Sequence, residues 1–69
     1  MNIQYAINAI VRASHTAEIA HAEGSDRSAE ILDDLGDALS ALDEENVAQL
    51  VYGTSYRIWK QESIAVKNG

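Results

Sequence analysis

The sequence predicts an all-α fold in which three helices form a single domain over residues 1–69. Apolar residues recur at steps of three and four along most of the chain, which is the period of an α-helix. Proline, which would interrupt a helix, is absent from the 69 residues, and residues that suit helix ends separate the periodic segments. A chain of this length holds one domain.

The first periodic segment runs from Ile3 to Glu23 and predicts helix one. Gly24 follows it and tolerates the left-handed backbone conformation that often ends a helix. Ser25 or Asp26 is then expected to be the N-cap of the next helix. Because the turn is so short, helices one and two are predicted to form an antiparallel hairpin. The apolar stripe of helix one comprises Ile3, Ala6, Ile7, Ile10, Ala13, Ala17 and Ala20.

The second periodic segment carries leucines on one side and acids on the other, which predicts an amphipathic helix two. Gly36 lies in its middle and costs about 1 kcal/mol of helix stability relative to alanine, which is compatible with a close neighbour at that position. The apolar stripe comprises Ile31, Leu32, Leu35, Ala38, Leu39 and Leu42. The opposite side comprises Glu30, Asp33, Asp34 and Asp37.

Helix three is predicted to begin behind Asp43, whose carboxylate suits an N-cap, and to run to Ile64 or Ala65. The weak helix formers between Gly53 and Ser55 indicate either a close helix crossing or a local bend. The core stripe of this helix is expected to comprise Val47, Leu50, Val51, Thr54, Ile58 and Ala65.

The small size of the chain favours self-association. Domains below roughly 70 to 80 residues usually need a disulfide, a structural metal or a partner, and this chain contains no cysteine. The apolar side of helix three is also too wide for one hairpin to cover. We therefore expect a homo-oligomer, formed through helix three and through the alanine side of helix one at Ala13, Ala17 and Ala20.

The charge of the chain indicates a protein partner. Eleven acidic and five basic residues give a formal net charge of −6, which disfavours binding to nucleic acid and to anionic membranes. Eight of the eleven acids lie between residues 26 and 45, where only Arg27 opposes them. We expect this negative face to bind a basic surface. No apolar run is long enough for a membrane span and no signal peptide is recognisable, so a cytoplasmic location is expected.

The aromatic residues all carry a polar group, which suits protein interfaces. Tyr52, Tyr56 and Trp59 recur at helical spacing on helix three, where they form either part of the core or a contact surface. With the acids of helix two they give the candidate partner-binding set of Glu30, Asp33, Asp34, Asp37, Tyr52, Tyr56 and Trp59. We interpret the chain as a small acidic protein-binding module of the phage-encoded inhibitor or adaptor type, with an antitoxin-like regulatory partner as an alternative.

A second set of residues is compatible with metal binding. His15-x-x-Glu18 on helix one and Asp34-x-x-Asp37 on helix two supply four side chains that can bind a metal. The segment 17–39 resembles the metal-binding hairpin of the MazG-like nucleotide pyrophosphohydrolases, with His15 where that family has Glu. The resemblance implies magnesium at Glu18, Asp34 and Asp37, and cleavage of a nucleoside triphosphate between its α and β phosphates. We favour the non-enzymatic interpretation, which assigns no catalytic residue and no cofactor, because Asp34 and Asp37 lie opposite the leucine stripe as on a solvated helix face.

Overall fold

A computed structural model describes the backbone of residues 1–68 and the side chains of residues 1–63. Its three helices are α1 (Ile3–Glu23), α2 (Ser28–Ala41) and α3 (Glu45–Asn68), and the described backbone contains no strand. The prediction of an all-α chain with three helices is therefore confirmed. Helix one has the predicted bounds, whereas α3 continues beyond its predicted end.

The three helices lie side by side in one layer with α2 in the middle. Helices α1 and α3 both pack on α2, and within the described residues their backbones do not approach each other. The Cα atoms span 43 × 27 × 11 Å. The chain thus has two broad surfaces, each formed by all three helices.

Helices α1 and α2 end in the same type of turn. Gly24 follows α1 and Asp43 follows α2, and each has a φ of 65°. In the first turn the Ser25 N–H donates to the Ala20 carbonyl at 3.0 Å, and in the second turn the Glu44 N–H donates to the Leu39 carbonyl at 2.9 Å. This pairing is the Schellman motif, whose left-handed position normally holds glycine. At the second turn an aspartate takes this conformation, because Asp is one of the few other residues that tolerate it.

The prediction that Asp43 is the N-cap of helix three is wrong, because Asp43 belongs to the turn that ends α2. Helix α3 begins at Glu45, and its first hydrogen bond runs from the Ala48 N–H to the Glu44 carbonyl at 2.9 Å. The Asp43 carboxylate instead lies 3.1 Å from the amino group of Met1. Aspartate suits both positions, and the sequence alone does not distinguish them.

The start of α2 agrees only in part with the prediction that Ser25 or Asp26 is its N-cap. The backbone cap is Arg27, whose side chain makes no capping hydrogen bond. The carboxylate of Asp26 accepts from the Ser28 N–H at 2.9 Å and from the Ser28 hydroxyl at 2.5 Å, and these bonds lower the pKa of Asp26. Asp26 therefore accepts a hydrogen bond from the first N–H of the helix, although it lies one position before the N-cap residue.

Small residues form the core of the layer. Among the described side chains no large one is fully buried. Small side chains let helix backbones approach closely, so α1 and α3 can pack tightly against α2. The buried residues are Ala6, Ala9, Ala13, Ala20, Gly36, Ala38, Ala48 and Ser55.

The large aliphatic residues of the predicted core stripes are not buried. Six of them are exposed, and the most exposed, Leu50, shows 72% of its surface. A single layer buries only the sides of each helix that face another helix, so residues a quarter turn away remain at a broad surface. The side chain of Ala65 lies outside the described residues. The exposed large aliphatic members of the predicted stripes are Ile3, Ile7, Ile10, Leu35, Val47 and Leu50.

The segment between Gly53 and Ser55 marks a close helix crossing within an unbroken α3. The Ser55 side chain is buried, and its hydroxyl donates to the Ala29 carbonyl of α2 at 2.7 Å. A Cβ atom on Gly53 would meet no atom within 4 Å. Serine is therefore the residue that permits the approach, and the glycine is not needed for it.

In the described part of the chain, no helix combines the length and the apolar character that crossing a bilayer requires.

Candidate protein-binding face

One broad surface of the layer carries both acids and aromatic rings. Helices α2 and α3 border an open pocket of about 330 Å³ lined by Ala29, Glu30, Asp33, Tyr52, Ser55, Tyr56 and Trp59. A neighbouring pocket of about 300 Å³ is lined by Asn2, Tyr5, Asp37, Ser40, Ala41 and Tyr52. Tyr52 belongs to both pockets, so they form one continuous surface. We call it the acidic–aromatic face, and it comprises the acids Glu30, Asp33 and Asp37 and the rings of Tyr5, Tyr52, Tyr56 and Trp59.

Tyr52 is fixed at the centre of this face by two contacts with α2. Its hydroxyl donates a hydrogen bond to the Asp37 carboxylate, and its ring packs over the backbone at Gly36. The hydrogen bond to Asp37 is the largest cause that raises the pKa of Tyr52 to about 12, followed by burial of the hydroxyl. Gly36 does have a close neighbour, and the neighbour is this ring.

The carboxylate of Asp34 is paired with a cation of the same chain. The Nε of Arg12 donates to Asp34 Oδ1 at 3.5 Å, and the Arg12 guanidinium also lies 5.9 Å from the centre of the Tyr5 ring. The Asp34 side chain is only 21% exposed. Of the four acids of α2, Asp34 and Asp37 therefore serve contacts within the chain.

Glu30 and Asp33 are the acids that remain open to solvent at the end of the face where α2 begins. Arg27 donates to Glu23 at 2.9 Å and lies 3.6 Å from Glu30. Its hydrogen bond to Glu23 is the largest cause that lowers the pKa of Glu23. Within residues 1–63, Asp33 takes part in no ion pair. Asp33 is thus the most available negative charge of the face.

No protein-family model, no curated protein and no solved structure matches this chain. Its function must therefore be inferred from its own contacts. The two outer rings of the face are informative in this respect, because Tyr56 is 58% exposed and Trp59 is 56% exposed. Their centres lie 6.1 Å apart at a tilt of 36°. Large rings that stay this exposed are typical of contact surfaces.

The candidate metal ligands are not brought together. His15 and Glu18 are exposed on α1, whereas Asp34 contacts α1 and the Asp37 carboxylate accepts from a tyrosine of α3. Among the side chains of residues 1–63, no group of three or more His, Asp or Glu residues has an arrangement suited to a metal ion. Two aspartates three residues apart on α2 thus face different neighbouring helices.

The opposite broad surface of the layer is aliphatic, although the apolar stripes of the sequence predict that these residues are core residues. On their helices these residues point away from the buried alanines and away from the acids of α2. None of them carries a charge. We call this surface the aliphatic face, and it comprises Ile3, Ile7, Ile10, Leu35, Val47 and Leu50, which are 36% to 72% exposed.

Proposed function

We propose that the chain is a small acidic protein-binding module whose acidic–aromatic face covers a basic surface of another protein, as inhibitors and adaptors of the phage type do. The observation that carries this proposal is the shared pocket in which acids of α2, Glu30 and Asp33, stand beside rings of α3, Tyr56 and Trp59. Exposed acids attract a basic partner during approach. Exposed tryptophan and tyrosine rings are the residue types that most often anchor a protein complex.

The layer arrangement explains why acids and rings meet on one surface. We propose that α1 and α2 are antiparallel, as are α2 and α3. The Asn2 N–H donates to the Ala41 carbonyl at 2.7 Å, which joins the start of α1 to the end of α2. Ser55 donates to Ala29, which joins the middle of α3 to the start of α2. With this connectivity each helix contributes one side to each broad surface.

We propose that a second copy of the chain covers the aliphatic face. The chain exposes 4890 Å², whereas a compact monomer of 7.5 kDa exposes about 4,250 Å². The excess of about 640 Å² approaches the roughly 800 Å² that each partner buries in a standard interface. An uncharged face also lets two copies of net charge −6 meet with their acids pointing outward. The proposed dimer therefore does not use the alanine side of helix one that the sequence predicts, since Ala13 and Ala20 are buried within the chain.

The oligomer is tested by measuring the molar mass in solution by light scattering. Ile7→Gln and Leu50→Gln place an amide on the aliphatic face, and both variants should shift a dimeric mass towards that of the monomer. Val11→Gln is the matched control, because Val11 is 60% exposed but is not part of that face. A monomeric wild-type protein at high concentration, or equal dissociation of all three variants, would contradict the proposed dimer.

The binding function is tested by capture from a lysate of the native host, followed by mass spectrometry. The wild-type protein should retain a basic protein that the Glu30→Gln/Asp33→Asn variant does not. The variant Glu18→Gln/Glu44→Gln has the same change of charge outside the acidic–aromatic face and should behave like the wild type. Equal capture by all three proteins would show that this face does not carry the binding.

A further inference from the structure

We infer that the pocket between α2 and α3 receives the side chain of an arginine from the partner protein. The inference rests on the proposed function and specifies it, because it turns a negative surface into a site for one kind of side chain. The pocket has a volume of about 330 Å³, which lies at the lower end of the range for ligand pockets, about 300 to 1,000 Å³. A single long side chain is an occupant of suitable size.

The aromatic walls of the pocket favour a cation. Tyr52, Tyr56 and Trp59 line it from α3, and the planes of the Tyr56 and Trp59 rings are tilted by 36° to each other. The face of an aromatic ring attracts a cation placed within about 6 Å of its centre, and tryptophan is the strongest of these rings. The chain already contains one such contact, in which Arg12 lies over Tyr5.

The polar groups of the pocket also favour a cation. Glu30 and Asp33 line it from α2, and no basic residue is among the lining residues within positions 1–63. The Ser55 hydroxyl already donates to the Ala29 carbonyl, so it is not a free donor for an anion. An ammonium or guanidinium group would find two carboxylates there, those of Glu30 and Asp33.

Arginine fits this combination better than lysine does. Its planar guanidinium stacks on aromatic rings and donates to carboxylates through a fixed set of N–H groups, whereas lysine carries a compact and more strongly hydrated charge. Asp33, which pairs with no cation among residues 1–63, is the carboxylate most available to it. Glu30 lies 3.6 Å from Arg27 and must divide its charge between that residue and the occupant.

The probe for this pocket is a short glycine–serine peptide that carries several arginines and a fluorescent label. Two matched peptides carry lysine or the uncharged analogue citrulline in place of arginine. The binding of each peptide is followed by anisotropy, and the fluorescence of Trp59, the chain's one tryptophan, reports occupancy of the pocket. The arginine peptide should bind most tightly and change this fluorescence in a saturable manner, and the citrulline peptide should do neither.

Variants separate the pocket from the general charge of the protein. Asp33→Asn and Trp59→Leu should each weaken binding of the arginine peptide about tenfold, since each removes a charge-assisted or cation–π contact. Glu18→Gln is the matched control outside the acidic–aromatic face, since Glu18 is exposed on α1, and it should leave affinity nearly unchanged. Melting curves measured by circular dichroism verify that all variants are folded.

Two results would overturn the inference in different ways. If arginine and lysine peptides bind equally, and Asp33→Asn weakens binding no more than Glu18→Gln does, the pocket is not the site, although a basic partner of the face remains. If neither cationic peptide binds at low salt, the proposed function fails together with the pocket.

Discussion

A Cβ atom on residue 36 would lie 2.5 Å from Cε1 of Tyr52, so α2 accommodates this ring because residue 36 is glycine. The ring cannot simply turn away, because its hydroxyl is held by the Asp37 carboxylate. A glycine that weakens the helix by about 1 kcal/mol thus creates the space for an aromatic ring between α2 and α3. This contact fixes the centre of the acidic–aromatic face.

Because of this contact, we expect Gly36→Ala to change the free energy of unfolding in opposite directions when position 52 is tyrosine and when it is alanine. In the wild type the clash should outweigh the gain in helix propensity, so the free energy of unfolding should fall by about 1 kcal/mol. In a Tyr52→Ala background the same substitution should raise it by about 1 kcal/mol. Denaturant unfolding of the four proteins measures both effects. A stabilising Gly36→Ala in the wild-type background would show that the ring is not held at this position.

The hydrogen bond between Tyr52 and Asp37 predicts a loss of stability at high pH. The pKa of Tyr52 is raised to about 12 in the folded chain, above its value of about 10 in an unfolded chain. A raised pKa contributes stability that is fully present below about pH 10 and is lost as pH rises through the folded pKa. The stability difference between the wild type and Tyr52→Phe should therefore be constant near neutral pH and shrink between about pH 10 and pH 12.

The control for this titration is Tyr56→Phe, because Tyr56 is largely exposed. Subtracting each variant's curve from that of the wild type removes the titration of the remaining tyrosines and of the lysines. The account would be wrong if the Tyr52→Phe and Tyr56→Phe difference curves had the same shape.

The other two glycines within the helical region should respond oppositely to alanine. Gly53 lies in α3 with open space around it, so Gly53→Ala should stabilise the chain by about 1 kcal/mol through helix propensity alone. Gly24 has a φ of 65°, a conformation that costs an alanine roughly 1 to 2 kcal/mol. Gly24→Ala should therefore lower the thermal midpoint while Gly53→Ala raises it. Thermal unfolding of the two variants under one set of conditions gives the comparison.

Magnesium at millimolar concentration should not raise the thermal midpoint. Asp34 is paired with Arg12 and Asp37 accepts from Tyr52, so neither acid is free to join Glu18. A ligand present at about 100 times its dissociation constant would stabilise the folded chain by roughly 2.7 kcal/mol, which a thermal melt detects readily. The control is sodium chloride at equal ionic strength. A rise that is specific to magnesium and is abolished by Asp34→Asn would support the pyrophosphohydrolase interpretation instead.

Features that depend on neighbouring residues along the chain could be predicted from the sequence. The bounds of α1 and the turn at Gly24 follow from the apolar period and from the backbone freedom of glycine. Asp43 was assigned to the wrong helix end, because aspartate suits both an N-cap and a left-handed turn position. A local pattern does not decide between these two uses.

The flat layer and the contacts within the site could not be predicted in this way. An apolar stripe shows which side of a helix is buried, but it does not show how many helices will cover that side. For this reason Ile7 and Leu50 were placed in the core, although both lie at a surface. The acids of helix two were recognised from their clustering along the chain. That Asp34 and Asp37 are occupied by Arg12 and Tyr52 depends on the packing of α1 and α3 against α2.

The central claim is that exposed acids of the acidic–aromatic face guide a basic protein to it. The most direct test measures the association rate of the captured partner at increasing salt concentration, for the wild type and for Glu30→Gln/Asp33→Asn. Because exposed charges act over about a Debye length and are screened by salt, the variant should associate more slowly and with a flatter dependence on salt, while its dissociation rate changes little. An association rate and a salt dependence equal to those of the wild type would contradict the claim.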